Sequence, residues 1–232
     1  MGKSYYMETY GCQMNVADSE LIAGMLHKQG YVVSKSMDNA DAIFVNTCAI
    51  REHAEEKVHS RLGVYSRIKQ NRPEVIIGVL GCMAQHLKDE ILESKPYVDI
   101  ILGPDSYRKL PVLLDREIEN INSLVDTKLS RFEVYDNLFP SRQEGINAWV
   151  SIMRGCDKFC TFCIVPFTRG RERSRSITSI VTEVHKAIAD GFVEITLLGQ
   201  NVNSYQHDDQ KFQHLLKEVA EIPGVQRLRY TS

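Results

Sequence analysis

The chain has 232 residues, 43% of them hydrophobic, and a formal charge of -2 from 28 basic and 30 acidic side chains. That supplies apolar surface for two cored domains and gives no global charge excess, so any nucleic-acid contact has to come from a local patch. No apolar run approaches membrane-spanning length, and the opening "MGKSYYMETYGC" has neither the charged and apolar regions of a signal peptide nor, at Tyr6, the Ser or Thr of a myristoylation site. A soluble, cytoplasmic protein is therefore expected, with six cysteines better suited to metal or redox chemistry than to disulfides.

In chain order, "SYYME" predicts a strand, and Leu21, Ile22, Met25 and Leu26 predict a helix stopped by Gly30. Strands "YVVS" and "AIFVN" follow, then a long helix with Ala54, Val58, Leu62 and Tyr65 at three- and four-residue spacing. The apolar strand "VIIGVL", a short helix through Leu87, Ile91 and Leu92, and "VDIILG" complete the series. Continuously apolar strands alternating with helices predict a parallel sheet covered on both faces. Both periods fade over about 119–146, read as an interdomain linker between an α/β domain over 1–118 and a second domain over 147–232. The second βα series runs from "AWVSIM" through a helix with Ile180, Val184 and Ile188, the strand "FVEITLL", another helix and "VQRLRY".

Cys12, Cys48 and Cys82 each stand just past the end of a predicted strand, 36 and then 34 positions apart. If the strands are parallel, the three thiols emerge at the sheet edge where open α/β folds place their ligands. Gly11 and Gly81 let the chain turn tightly before two of them. Ordinary buried cysteines are the alternative, favoured for any one alone and weakened by the repeated position.

Cys156, Cys160 and Cys163 have the spacing C-x3-C-x2-C. Three thiolates on one tight loop can hold three corners of a cubane iron-sulfur cluster and leave the fourth iron open, whereas structural zinc takes a fourth protein ligand. Here that ligand would have to be His185 or His207. A redox C-x-x-C at Cys160 and Cys163 is also open, but gives Cys156 no role. His53 and His59 lack the H-E-x-x-H spacing and read as helix surface.

"CDKFCTFC" resembles the signature of radical S-adenosylmethionine enzymes. With "ETYGCQMN", "NTCAIREHAEEKV", "GVLGCMAQ", "TRGRERSR" and "EITLLGQNVNSY", nearly the whole chain resembles the methylthiotransferases, most closely their MiaB-type tRNA-modifying branch. The resemblance implies a partial TIM-type barrel after the α/β domain, and two 4Fe-4S clusters: an auxiliary one on Cys12, Cys48 and Cys82, and one on Cys156, Cys160 and Cys163. The latter would bind S-adenosylmethionine and cleave it to a 5'-deoxyadenosyl radical. Phe162 matches an aromatic position near the adenine, with a core aromatic as the alternative, and Gly199, Gln200 and Asn201 match a segment close to the cofactor.

The implied activity is insertion of a methylthio group at C2 of N6-isopentenyladenosine at position 37 of tRNA. Sister branches acting on threonylcarbamoyl-adenosine in tRNA or on a ribosomal-protein aspartate are alternatives, as is a non-enzymatic iron-sulfur sensor. The implied partners are the tRNA anticodon loop and an electron donor such as flavodoxin or ferredoxin, with the protein a monomer. Arg169, Arg171, Arg173 and Arg175 alternate, and in an extended segment would project to one side, which suits phosphates; a solvated charged face is the alternative. Acid-base residues are not assigned. Relatives continue with further barrel strands and a small RNA-binding β-barrel called TRAM, so a chain stopping at "RLRYTS" is expected to be the first part of a longer enzyme, with little activity alone.

Overall fold

The computed structural model describes residues 3–48, 52–115, 124–142 and 145–231, the side chains of 52–56 excepted. Contacts divide the chain into two units, Met1–Leu129 and Ser130–Ser232. Among the described residues no helix is long and apolar enough to cross a membrane.

The first unit runs β1 (Ser4–Tyr10), α1 (Gln13–Lys28), β2 (Val32–Val33), β3 (Ala42–Thr47), α2 (Glu52–Asn71), β4 (Ile76–Gly81), α3 (Cys82–His86), α4 (Lys88–Ser94), β5 (Ile100–Leu102), α5 (Leu110–Asp115) and β6 (Leu124–Asp126). Its strands are parallel, in the order β2-β1-β3-β4-β5-β6. All six residues of β3 are buried, as the unbroken apolar run requires when both faces are covered. Alternate β3 side chains show the two layers. Ile43 and Val45 share a core with Val58, Leu62 and Tyr65 of α2. On the opposite face Phe44 meets Tyr5, whose ring also meets His27 of α1. Thus α1 and α2 leave β1 and β3 toward opposite faces, and the strand order reverses between those two strands. A crevice opens at the carboxyl ends at such a point.

The α2 face also holds a charge. Glu8 accepts from Arg61 through both carboxylate oxygens, one of these bonds being Nε to Oε2 at 2.8 Å, and from Tyr65 at 2.7 Å and Tyr10 at 2.9 Å. Burial, the largest influence, would raise the Glu8 carboxyl, but the hydrogen bonds from Arg61, Tyr65 and Tyr10 outweigh it and hold the group below its ordinary range. A carboxyl lowered by folding stabilises above its unfolded value, and that contribution is lost as pH falls through the folded value. Glu8→Gln should therefore cost about 2 kcal/mol near neutral pH, with the difference from the parent shrinking below about pH 4. Urea unfolding at both pH values checks this, and a gap that persists in acid would refute the electrostatic account.

The segment 119–146, expected as a linker, contributes to both units. β6 extends the first sheet beside β5, and from Ser130 onward the contacts are with the second unit, where Tyr135 is buried. A three-residue strand is too short to show a period. Residues 119–123 and 143–144 lie outside the described residues.

The second unit comprises β7 (Asn147–Ser151), β8 (Met153–Arg154), α6 (Val165–Thr168), β9 (Arg173–Ser174), α7 (Ile177–Ala189), β10 (Glu194–Leu198), the short pair β11 (Gln206–His207) and β12 (Gln210–Lys211), α8 (Phe212–Ala220) and β13 (Arg227–Thr231). β7, β10 and β13 form a parallel sheet in sequential order, with α7 and α8 between successive strands. Sequential parallel strands with intervening helices are the way a βα barrel begins. Ser176 caps α7 by accepting from the Ser179 N–H at 3.2 Å, and Gly191 ends it at φ +95°. Ile177, Ile180, Val184 and Ala187 bury one face of α7 in the unit's core, the larger side chains contributing about 2 kcal/mol each.

Candidate metal centres

Strand register places the upstream cysteines. Tyr10 pairs with Thr47 and Thr47 with Gly81, so three adjacent strands end in one row. Cys48 and Cys82 are the next residues along β3 and β4, and Cys12 lies two past the end of β1. Neighbouring strands stand about 4.8 Å apart, so the three backbones are gathered at the carboxyl edge, beside the crevice between β1 and β3. The Cys48 N–H donates to the Tyr10 carbonyl at 3.2 Å. A Cβ on Gly11 would fall 2.6 Å from Cys48 Cβ, and one on Gly81, at φ +94°, 2.8 Å from the Thr47 carbonyl oxygen. Only glycine lets these turns approach so closely. Cys12 caps α1, where the helix's partial positive charge favours an anionic ligand. Cys48 and Cys82 are buried.

In the second unit Cys156, Cys160 and Cys163 lie on the loop from β8 to α6. The Cys156 N–H donates to the Gly170 carbonyl at 3.2 Å, and the Cys163 N–H to the Cys160 carbonyl at 2.9 Å. Gly155 adopts φ +74°, and a Cβ there would lie 2.1 Å from the Arg171 carbonyl oxygen. Arg171 clasps Asp157 with Nε at 2.6 Å and Nη2 at 3.1 Å, and its guanidinium lies 5.5 Å from the Phe159 ring centre. The Arg171 hydrogen bond, helped by the Glu172 N–H, holds the Asp157 carboxyl below its usual range. The loop is thus tied back to residues 170–172 while Cys160 is exposed.

Among the described residues, no three His, Cys, Asp or Glu side chains are gathered as a ready metal site. The donor chemistry nevertheless fits iron-sulfur ligation: each set offers three soft thiols, on adjacent strand ends in one unit and on one tied loop in the other. The zinc alternative gains no fourth ligand. His185 is exposed on α7, and His207 sits 3.3 Å from Asp208. His59 lies 4.0 Å from Glu90, and the His53 side chain is outside the described residues.

Phe162 is 95% exposed, which removes the core-aromatic alternative. Gly199, just past β10, abuts β8: a Cβ there would lie 2.5 Å from Met153 Cγ. Gln200 Oε1 is buried without a hydrogen-bond partner, the kind of acceptor that awaits a ligand donor. The Asn201 carbonyl accepts from the Ser204 N–H at 3.0 Å, closing a turn.

The one-sided arginine row is corrected. Arg169, Arg173 and Arg175 are buried, while Arg171 is exposed. Arg173 donates to the carbonyls of Ser130 at 2.7 Å and Glu133 at 3.1 Å. Arg175 donates to the Ser151 carbonyl at 2.8 Å and to Glu183 at 2.6 Å. Arg142, which belongs to no motif in the sequence, bonds the same carboxylate and donates to the Trp149 carbonyl at 2.9 Å. The alternation fails because Gly170 turns the chain at φ +72° and only Arg173 and Ser174 are in a strand.

Residues 4–103 match the family described as uncharacterized protein family UPF0004, and residues 150–231 match the radical SAM superfamily. The chain is 48% identical, over a gapped alignment 238 positions long, to the tRNA-2-methylthio-N(6)-dimethylallyladenosine synthase of Bacteroides fragilis, covering 99% of the chain and 51% of the relative. The similarly named protein of Chloroherpeton thalassium is 45% identical, over 98% of the chain and 51% of that relative. The chain thus spans about half the length of these curated relatives. Among solved structures, the radical S-adenosylmethionine methyltransferase TsrM of Kitasatospora setae, with tryptophan substrate and aza-SAM bound, superposes with a TM-score of 0.59 at 12% identity, over 93% of this chain and 50% of TsrM. That likeness speaks to the fold alone.

Proposed function

We propose, since the chain belongs to the MiaB-type radical S-adenosylmethionine methylthiotransferase family, that the protein inserts a methylthio group at C2 of N6-isopentenyladenosine at position 37 of tRNA. The observation that carries the reading is the placement of the cysteines: one trio at three neighbouring strand ends, the other on the tied loop of the radical SAM segment. Cys156, Cys160 and Cys163 would hold the 4Fe-4S cluster of S-adenosylmethionine chemistry, and Cys12, Cys48 and Cys82 an auxiliary 4Fe-4S cluster. When bound, such clusters supply an open iron to chelate and reduce S-adenosylmethionine and a sulfur for transfer.

The chain's own residues would orient the reactants. Phe162 offers an exposed ring face to the adenine, and Gln200 offers its buried Oε1 to a cofactor donor, next to Gly199, where a side chain would collide with Met153. Asn201 sits at the turn beyond them. Of the arginine row, Arg171 has Nη1 outside its clasp on Asp157 and is suited to an RNA phosphate, whereas Arg173 and Arg175 are committed to backbone carbonyls and Glu183, and Arg169 is buried. An unpaired anticodon-loop base would be recognised by stacking and edge contacts. The reading includes a cytoplasmic monomer served by a flavodoxin- or ferredoxin-type electron donor.

The test is nucleoside mass spectrometry of tRNA, with peptide mass spectrometry of ribosomal protein beside it, from a strain lacking the modification and expressing the gene that carries this chain. We expect the methylthio mass on isopentenyladenosine and parent masses on threonylcarbamoyl-adenosine and on ribosomal-protein aspartate. The reverse preference would reassign the substrate.

A further inference from the structure

Beneath the upstream cysteines lies a polar pair that the chemistry above does not use. Asn15, in the first turn of α1, and Asn46, on the α1 face of β3, are both fully buried. Asn15 Nδ2 donates to Asn46 Oδ1 at 3.3 Å. Asn46 Nδ2 donates back to the Asn15 carbonyl at 3.0 Å and to Ser19 Oγ at 2.9 Å, and Ser19 shares a hydrogen bond of 2.7 Å with Thr9. Two amides in an apolar interior are costly unless each is answered, and here they answer each other.

The direction of the pair is fixed. A backbone carbonyl can only accept, so Asn46 must aim Nδ2 at Asn15 and turn Oδ1 toward the Asn15 side chain. Asn15 must then present Nδ2 to it, which leaves Asn15 Oδ1 facing Cys12, whose Sγ donates to it at 3.4 Å. Both carbonyl oxygens also abut the glycines before ligand cysteines. A Cβ on Gly11 would lie 2.8 Å from Asn15 Oδ1, and one on Gly81 2.3 Å from Asn46 Oδ1. Asn46 is itself two residues before Cys48 on the same strand. One amide pair therefore touches all three cysteine-bearing segments.

We infer that the buried Asn15 and Asn46 pair is a positioning device that sets the spacing of Cys12, Cys48 and Cys82. The inference rests on the reading that these cysteines hold a cluster. Neither asparagine is a ligand. Their part is to hold the Gly11 and Gly81 turns against β3, so that the thiols are presented at one distance.

The test uses the chain with Cys156, Cys160 and Cys163 all replaced by alanine, reconstituted anaerobically with iron and sulfide so that iron enters only the upstream site. Asn46→Ala is compared with Phe44→Leu, a core substitution on the same strand and face whose ring packs on Tyr5 and over Gly78, not among the atoms that crowd Gly11 or Gly81. Both should lower the thermal midpoint. In Asn46→Ala alone, iron should pass to a chelator about 10-fold faster and the reduction potential should move, as happens when groups supporting metal ligands are removed. Asn15→Ala carries the same expectation and serves if Asn46→Ala does not fold. Equal iron release from the asparagine variants and Phe44→Leu would overturn the positioning role. Failure of the protein with both asparagines intact to bind iron would instead overturn the cluster reading beneath it.

Discussion

Cys156→Ala should abolish reductive cleavage of S-adenosylmethionine while the protein keeps its fold. Cys156 is held by one backbone hydrogen bond to Gly170 on a loop that contributes nothing to the apolar core of its unit. Removing its sulfur costs little stability but would deprive the proposed three-cysteine site of one of its anchors, and retained iron should fall by about half after anaerobic reconstitution. On the proposed reading Cys48→Ala should give the converse, with cleavage to 5'-deoxyadenosine kept and sulfur insertion lost. Chromatography of the nucleoside product and iron analysis read both variants. Cleavage by Cys156→Ala at the parent rate, or one tightly held zinc in place of iron, would sink the reading.

Glu183→Ala should be the most destabilising of the substitutions considered, by about 4 kcal/mol. The carboxylate is buried between the buried guanidinium groups of Arg142 and Arg175, and removing it takes from both their shared counter-charge inside the protein, with the half-buried Asp136, 3.4 Å from Arg175, the longer of the Arg175 carboxylate contacts. Domains are stable by roughly 5–15 kcal/mol, so the second unit would be close to unfolding. Lys186→Ala, which breaks an exposed pair with Asp190 on the same helix, should change stability by less than about 0.5 kcal/mol. Urea unfolding followed by circular dichroism compares the two. A Glu183→Ala cost no larger than that of Lys186→Ala would mean that the two arginines reach water at no penalty, and would return Arg175 to the set of candidate phosphate ligands.

The two outcomes bear on what the amino-acid order discloses. Strand ends and cysteine positions were legible because they are local: the run "VIIGVL" can be buried on both faces only in a parallel sheet, and Cys82 follows it within two residues. The fate of Arg173 and Arg175 was not legible. Their partners at Ser130, Glu133 and Ser151 lie 24 to 43 residues away, and nothing in "TRGRERSR" separates a solvated guanidinium from one that closes backbone carbonyls. Asn46 lay between. An asparagine near the end of the apolar run "AIFVN" is a polar group that burial must satisfy, so the signal was present, but its partner Asn15 is 31 residues away.

Arg142 and Arg175, which donate to carbonyls of β7, also shape its outer edge. β7 stands at the end of its sheet's strand order, and the Trp149 and Ser151 carbonyls, on the side away from β10, are occupied by Arg142 and Arg175. A foreign strand approaching there finds its acceptors taken, which guards the protein against edge-to-edge aggregation. The same two guanidinium groups make assembly of this sheet directional, with β13 as the side on which another strand can be laid.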